Sequence, residues 1–334
     1  MSQAAPGLKV ALKRGALIAA ANWPLVAVQF VAESTLKLLL AVPVAGGVFL
    51  VVLALDAEVD GFLTGDLRTV ITAVVAALRQ NPAALAAFIL AFLVVLLGAS
   101  ALTFVVKSGT VSLLAEAERT TGPIERPPLR LRMLRRADRI AIEPFLEACG
   151  RLWKRYVKLG ACLLLVYAGT AAGYLGLLVG GYALADNVGV LLGWTVVAAI
   201  ASSALIVWIT LVNLVYLLAQ LVIAVEDAGV RQALSGVSRF IRASLREIAG
   251  IFGVVLVLVL LAMVASILAT AGLGLISWVP IVALTVMPLQ IAAWLLRGMV
   301  FQYLALTALG AYLTQYRYYR RGAALTAVPG QRLA

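Results

Sequence analysis

IAGIFGVVLVLVLLAMVASILATAGLGLISWVPIVALTVMPLQIAAWLL, residues 248–296, decides the fold of this chain. The stretch carries no charged residue. An α-helix rises about 1.5 Å per residue and a bilayer's hydrocarbon is about 30 Å thick, so roughly 20 such residues suffice for one crossing. This run is too long for one, and Gly272, Gly274 and Pro280 punctuate its middle, which predicts a helical hairpin. Four further uncharged runs, Leu38–Leu55, Pro82–Val106, Leu159–Ala185 and Asn187–Val225, read the same way. The expected fold is all-α and polytopic, with six transmembrane helices arranged as three hairpins.

Composition excludes the main alternatives. Hydrophobic residues are 63% of the 334 and charged residues 13%, too apolar a balance for a water-soluble core to hide. The long runs lack the period-two alternation of a membrane β-barrel. The net charge of +12 would point to nucleic acid in a soluble protein, but basic residues flank membrane helices on their cytoplasmic side. With only Cys149 and Cys162, no disulfide framework or C-x-x-C redox pair can form. Histidine, the commonest general base and metal ligand, is absent from the sequence. No Walker lysine, nucleophile elbow, dinucleotide fingerprint or metal-ligand cluster is legible, so no cofactor and no metal is expected. Arginine outnumbers lysine 21 to 6, a bias typical of GC-rich bacterial genomes.

Charge position sets the expected threading. Lys9, Lys13 and Arg14 precede the first span; 12 basic residues lie between Lys107 and Lys158. Arg231, Arg239, Arg242 and Arg246 fall in the next such connection, and Arg317, Arg320, Arg321 and Arg332 in the tail. The first intervening connection carries Asp56, Glu58, Asp60 and Asp66 against Arg68 and Arg79, and the other two, near Asp186 and Ser277–Pro280, carry no basic residue. The asymmetry predicts both termini in the cytoplasm of a bacterial inner membrane. The expected segments are an interfacial stretch over 1–23 and a first hairpin over 24–106 with an acidic outer loop. A basic connector and elbow follow over 107–158, then a second hairpin over 159–225, an elbow over 226–247, a third hairpin over 248–316 and a basic tail over 317–334. The amino-terminal stretch resembles a signal peptide, but Asn22-Trp23-Pro24 interrupts it without a convincing cleavage site, so retention is expected. Trp278 is expected at the outer surface and Tyr312, Tyr316, Tyr318 and Tyr319 at the inner headgroup level.

Each hairpin is preceded by a short amphipathic segment: Leu8–Trp23, Phe145–Lys158 and Val230–Ile248. In the second, Phe145, Leu146, Cys149, Leu152, Trp153 and Tyr156 recur at helical intervals, while Glu147, Arg151, Lys154, Arg155 and Lys158 take the other face. Such helices are expected to lie in the membrane interface with their basic side toward lipid phosphates. The third copy reads Ala224-Val225-Glu226-Asp227-Ala228-Gly229-Val230-Arg231-Gln232-Ala233-Leu234, then Ser238-Arg239-Phe240-Ile241-Arg242 and a span from Ile248. This block, about 35 residues, resembles the six-helix membrane domain fused to some bacterial glycerophosphodiester phosphodiesterases and also found alone in inner-membrane proteins. The resemblance implies fold and location. The phosphodiesterase activity belongs to a separate soluble domain and uses histidines, so no catalytic residue carries over.

Glu33 and Lys37 lie four apart on one face of the first span, and Arg297 interrupts the last. An intramembrane charge costs about 2.5–3.5 kcal/mol unless paired or hydrated, so a cluster of Glu33, Lys37 and Arg297 inside the bundle is the expected repair. It reads either as a substrate or proton site or as an ion pair that fixes packing. Asn213 and Gln220, and Gln290 and Arg297, repeat at seven-residue spacing and predict a polar seam, lining a solute or lipid path or hydrogen-bonding between helices. Gly169, Gly173, Gly176 and Gly180 form a small-residue stripe for close helix approach, to another span of this chain or to a second copy.

Arg130, Arg132, Arg135, Arg136, Arg151, Lys154, Arg155, Arg239 and Arg242 are candidates for contact with anionic lipid headgroups. Nucleic acid is not an expected partner, because no aromatic platform accompanies the arginines. The expected function is therefore non-enzymatic: an integral membrane scaffold, assembly factor or lipid-associated module. The alternative is a carrier or permease built on the polar seam, and a membrane-embedded lipid enzyme comes third.

Overall fold

Asn22 marks the first break in the chain: its side-chain amide donates to Ile18 O (2.9 Å) where one helix ends and the next begins. The computed structural model describes residues 7–54, 82–125, 141–276 and 280–326, and among these it forms eight helices. They are α1 (Leu8–Ala21), α2 (Trp23–Ala54), α3 (Pro82–Thr120), α4 (Ile142–Val188), α5 (Leu191–Glu226), α6 (Val230–Ala243), α7 (Leu245–Ile276) and α8 (Pro280–Thr326). All but α1 and α6 are long and apolar enough to cross a membrane. The expected six-span, three-hairpin architecture is therefore present. Gly189 ends α4 in the left-handed region (φ 74°), and Pro280 opens α8, where a missing N–H costs nothing. The acidic connection over 56–66, Trp278 and the segment holding Arg130, Arg132, Arg135 and Arg136 lie outside the described residues.

Burial divides the molecule into two layers. Nearly every buried side chain sits toward the end where the basic residues cluster, from Ala11–Val26, Phe104–Ile124, Ala148–Leu159, Tyr216–Ala228, Ala233–Ile251 and Leu306–Tyr316. Farther along the spans, side chains such as Leu90, Leu165, Leu192, Ile206, Leu268 and Leu296 are exposed. The physics accounts for the split. Lipid gives no hydrophobic incentive for spans to bury apolar faces, whereas segments reaching into water must do so. At 47 residues, α4 runs about 70 Å, more than twice the hydrocarbon thickness. Its first four turns belong to the basic-end layer.

This layer corrects the expectation for the elbows. Two are separate helices, α1 and α6, while the middle segment Phe145–Lys158 continues without a break into its span. Much of each apolar face meets protein, while Leu146 and Trp153 of the middle segment stay exposed. In α6, Ala233, Gly236, Val237 and Phe240 are buried, and Phe240 packs edge-on against Tyr316 with centroids 5.1 Å apart. Arg231, Arg239 and Arg242 stay exposed on the opposite face. Tyr312 and Tyr316, expected at the headgroup level, are core residues at 2% and 1% exposure.

The deepest contact joins the two ends of the described chain. On α1, Ala11, Gly15, Ile18 and Ala19 form one buried stripe that lies along α8. Gly15 meets Gly310 there backbone to backbone: a methyl on Gly15 would fall 2.6 Å from Ala311 N and closer still to Thr307 O. The predicted stripe on α4 behaves oppositely. A carbon added at Gly169, Gly173, Gly176 or Gly180 would meet no atom within 4 Å, so no other described span of this chain packs there.

Candidate functional site

Arg14 is the centre of the basic-end layer. From α1 its guanidinium reaches the carboxyl end of α3, where the last carbonyls lack helical partners. Nε donates to Glu118 Oε1 (3.2 Å), Nη1 to Gly122 O (2.9 Å) and Glu125 Oε2 (3.0 Å), and Nη2 to Glu118 O (3.2 Å) and Thr121 O (2.9 Å). Those five contacts match the five N–H groups of an arginine. Lys13 Nζ adds a bond to Glu125 O (2.8 Å). From α8, Arg317 pairs with the other Glu118 oxygen and donates to Ala115 O (2.7 Å). Glu118, with its side chain 7% exposed, is thus clamped between the first and last helices. Cations at a helix carboxyl end also oppose its dipole, which favours this arrangement for a span that exits into the basic layer.

The carboxyl end of α5 repeats the device. Arg155 of α4 donates to Asp227 O (2.6 Å) and pairs with the Asp227 carboxylate. Asp227 adopts φ 52°, a left-handed conformation that aspartate tolerates better than most residues. Glu226 accepts from Tyr316 Oη and pairs with Arg320 (3.0 Å). The Glu226-Asp227-Ala228-Gly229 block therefore has a local structural role: a capped helix end, a left-handed turn and the entry to α6. Arg155, expected at lipid headgroups, makes an intramolecular cap instead.

Of the remaining headgroup candidates, Arg151, Lys154, Arg239 and Arg242 are exposed. Lys154 Nζ lies 5.7 Å from the ring centroid of Trp153, itself exposed.

Within the spans the polar residues gather around Glu33, without Arg297. Glu33 pairs with Lys37 (2.9 Å) and accepts from Gln302 Nε2. Lys107 is close enough to interact with Glu33 and lies 5.8 Å from the Tyr216 ring centroid. Arg297 is not in this cluster. It is exposed, 5.9 Å from the Phe301 ring, and with Gln290 it lines a groove of about 530 Å³ between α7 and α8. The reason is angular: Gln302 faces Glu33 and Gly298 faces Phe30, whereas a residue five positions from Gln302 points about 140° away.

Asn213 through its side chain, and Gln220 through its backbone carbonyl alone, take part in a third arrangement. Tyr174 Oη bonds Ser202 Oγ (2.6 Å), Trp208 Nε1 donates to Thr170 Oγ1 (3.1 Å), Tyr167 Oη to Asn213 Oδ1 (2.6 Å) and Tyr156 Oη to Gln220 O (2.8 Å). These contacts run down the α4–α5 hairpin as an antiparallel ladder. The ladder face of α4 lies about 120° from the glycine face, so the glycines look outward.

Glu118, Arg14, Arg317 and Glu226 did not emerge from sequence reasoning. Their signal was an acid at the end of an apolar run, embedded among basic residues, at Glu118 and again at Glu226. No family model matches this chain, and no curated protein or solved structure shows significant similarity to it.

Proposed function

We propose that this multi-pass membrane protein is a non-enzymatic component of a bacterial cytoplasmic membrane, with both termini cytoplasmic, acting as a lipid-associated scaffold or assembly module. One observation carries the reading: its charged machinery ties helix ends into a basic layer, while Arg297 stands apart from the polar cluster around Glu33 instead of sharing one path with it. Glu33 gathers Lys37, Gln302 and Lys107, which reaches Tyr216 of α5, whereas Arg297 and Gln290 line a different groove. A carrier needs such groups around a common route. Basic-residue asymmetry supports the orientation, since lysine and arginine accumulate on the cytoplasmic side. The exposed arginines of α6 and Arg151 and Lys154 of α4 present positive charge beside the membrane, where anionic headgroups attract each by about 1 kcal/mol. The resemblance of residues 224–242 to a membrane domain that accompanies lipid-related enzymes supports the same assignment.

The test is extraction of the protein from native membranes into polymer-bounded lipid discs, followed by lipid mass spectrometry and flux assays in proteoliposomes. Discs enriched in anionic phospholipid over the bulk membrane, with no saturable flux, are expected. Bulk lipid composition in the discs, or flux that disappears in Arg297→Ala, would overturn the assignment.

A further inference from the structure

Between the basic-end stretches of α3, α4 and α8 lies a cleft of about 580 Å³. Arg119, Arg151, Arg317, Arg320 and Arg321 line it, against the carboxylates of Glu116 and Glu147. Three of the five arginines are already held. Arg119 is bound through two contacts (2.8 and 2.7 Å) to Glu116, Arg317 is paired with Glu118, and Arg320 with Glu226 (3.0 Å). Arg151 and Arg321 form no ion pair among the described residues, and both are exposed. Leu113, Ala115, Ala148, Ala224 and Val225 supply apolar wall. A concave site of one dominant sign with low-dielectric walls concentrates its field on whatever enters.

We infer that this cleft binds a small phosphate-bearing anion, gripped by Arg151 and Arg321 while the carboxylate-anchored arginines hold the surrounding field in place. The inference rests on the lipid-associated reading for its setting and goes beyond it by naming a ligand chemistry and a site. Guanidinium groups match phosphate oxygens two at a time, and two forks on different helices, neither in an ion pair though Arg321 is within electrostatic reach of Glu118, suit an anion that offers acceptors on several sides. The volume lies within the roughly 300–1,000 Å³ of ordinary small-molecule sites. Arg151 precedes the apolar run at Leu159 by eight residues, about 12 Å of helix, which places it just outside the headgroup region. The phosphate can therefore come from a lipid with an extended headgroup or from a soluble compound, and both share this chemistry.

Inorganic pyrophosphate titrated into the full-length protein in detergent tests the soluble source. Native mass spectrometry of the protein in nanodiscs containing phosphatidylglycerol tests the lipid source. The doubly substituted Arg151→Gln/Arg321→Gln protein is compared with Arg239→Gln/Arg242→Gln, which removes two charges from the exposed face of α6. The cleft substitutions are expected to weaken pyrophosphate binding about tenfold or more, the loss of one or two charge-assisted hydrogen bonds, and the α6 pair less than about twofold. If the natural source is lipid, tightly retained phosphatidylglycerol falls further in the cleft variant than in the α6 variant, and pyrophosphate displaces it. If the source is soluble, lipid retention is equal in both.

The inference is overturned if pyrophosphate shows no saturable binding and lipid retention is equal in all proteins, or if both double variants weaken binding alike. Should the double variant melt below the wild type, Arg321→Gln alone, at an exposed position, gives the same comparison. Anionic-lipid enrichment that survives with an inert cleft removes this site and leaves the lipid-associated reading standing. Pyrophosphate binding without any lipid enrichment does the reverse.

Discussion

Replacing Gly15 by alanine adds one methyl at the point where α1 crosses α8. Its carbon would stand 2.6 Å from Ala311 N and 3.1 Å from Gly310 C, and nearer still to Thr307 O. Ordinary contact begins near 3.4 Å, so the helices must part by several tenths of an ångström. All three obstructing atoms are backbone, so no side chain can rotate away. Overpacking of this kind costs about 1–3 kcal/mol, and a rigid crossing belongs at the upper end. Parting the helices also loosens Ala11, Ile18 and Ala19, which are all buried, and pulls Arg14 from its acceptors on α3. A loss of about 3 kcal/mol lowers a melting temperature by roughly 6–12 °C in a domain of 150–250 residues, and by less in a longer chain. Scanning fluorimetry in one detergent, run beside Gly173→Ala, measures it. Gly173 meets no atom within 4 Å, so its substitution is expected to be neutral or, through helix propensity, up to about 1 kcal/mol stabilising. Equal melting of Gly15→Ala and wild type, or an equal loss in Gly173→Ala, refutes the assignment of the packing glycines.

Further outcomes follow from the ion pairs and the hairpin ladder. Arg14→Ala leaves Glu118 with Arg317 as its one remaining cationic partner among the described ion pairs, and is expected to destabilise the protein by about 3 kcal/mol, read by thermal melting. Arg119→Ala, which removes an exposed pair with Glu116, is expected to change melting by less than about 1 kcal/mol. A double-mutant cycle on Tyr167→Phe and Asn213→Leu should return a coupling near 0.6 kcal/mol, and a value of zero would remove the ladder as an interhelical link. Arg297→Leu relieves an exposed intramembrane charge, so unchanged or improved melting is expected, and a large loss would restore Arg297 to a structural pairing.

The spans and their grouping were legible because they depend on local composition. An uncharged run from Ile248 to Leu296, broken at Gly272 and Pro280, states its hairpin without reference to the rest of the chain. The basic-end layer was not legible in that way. Gly15 and Gly310, or Arg14 and Glu118, are partners across a hundred residues or more, and no periodicity records which glycine meets which. The α4 stripe shows the limit plainly. Spacing established that Gly169, Gly173, Gly176 and Gly180 share a face, but Tyr167, Thr170 and Tyr174 decided which face turns toward α5. Arg297 failed for a related reason, since helical phase sets it on the far side of α8 from the residue that binds Glu33. The elbows were correctly amphipathic, yet a basic–apolar helix fits a membrane surface and a protein core equally well. The available core decided the outcome.

The most direct test of the two-layer, six-span account is side-specific labelling of single cysteines in a protein whose Cys149 and Cys162 have been replaced by alanine. Asp186→Cys lies exposed in the last turn of α4, just before the connection to α5, and Arg242→Cys on the exposed face of α6. In intact spheroplasts, a membrane-impermeant maleimide should label the first immediately and the second only after lysis. Labelling of both from the same side would contradict the account.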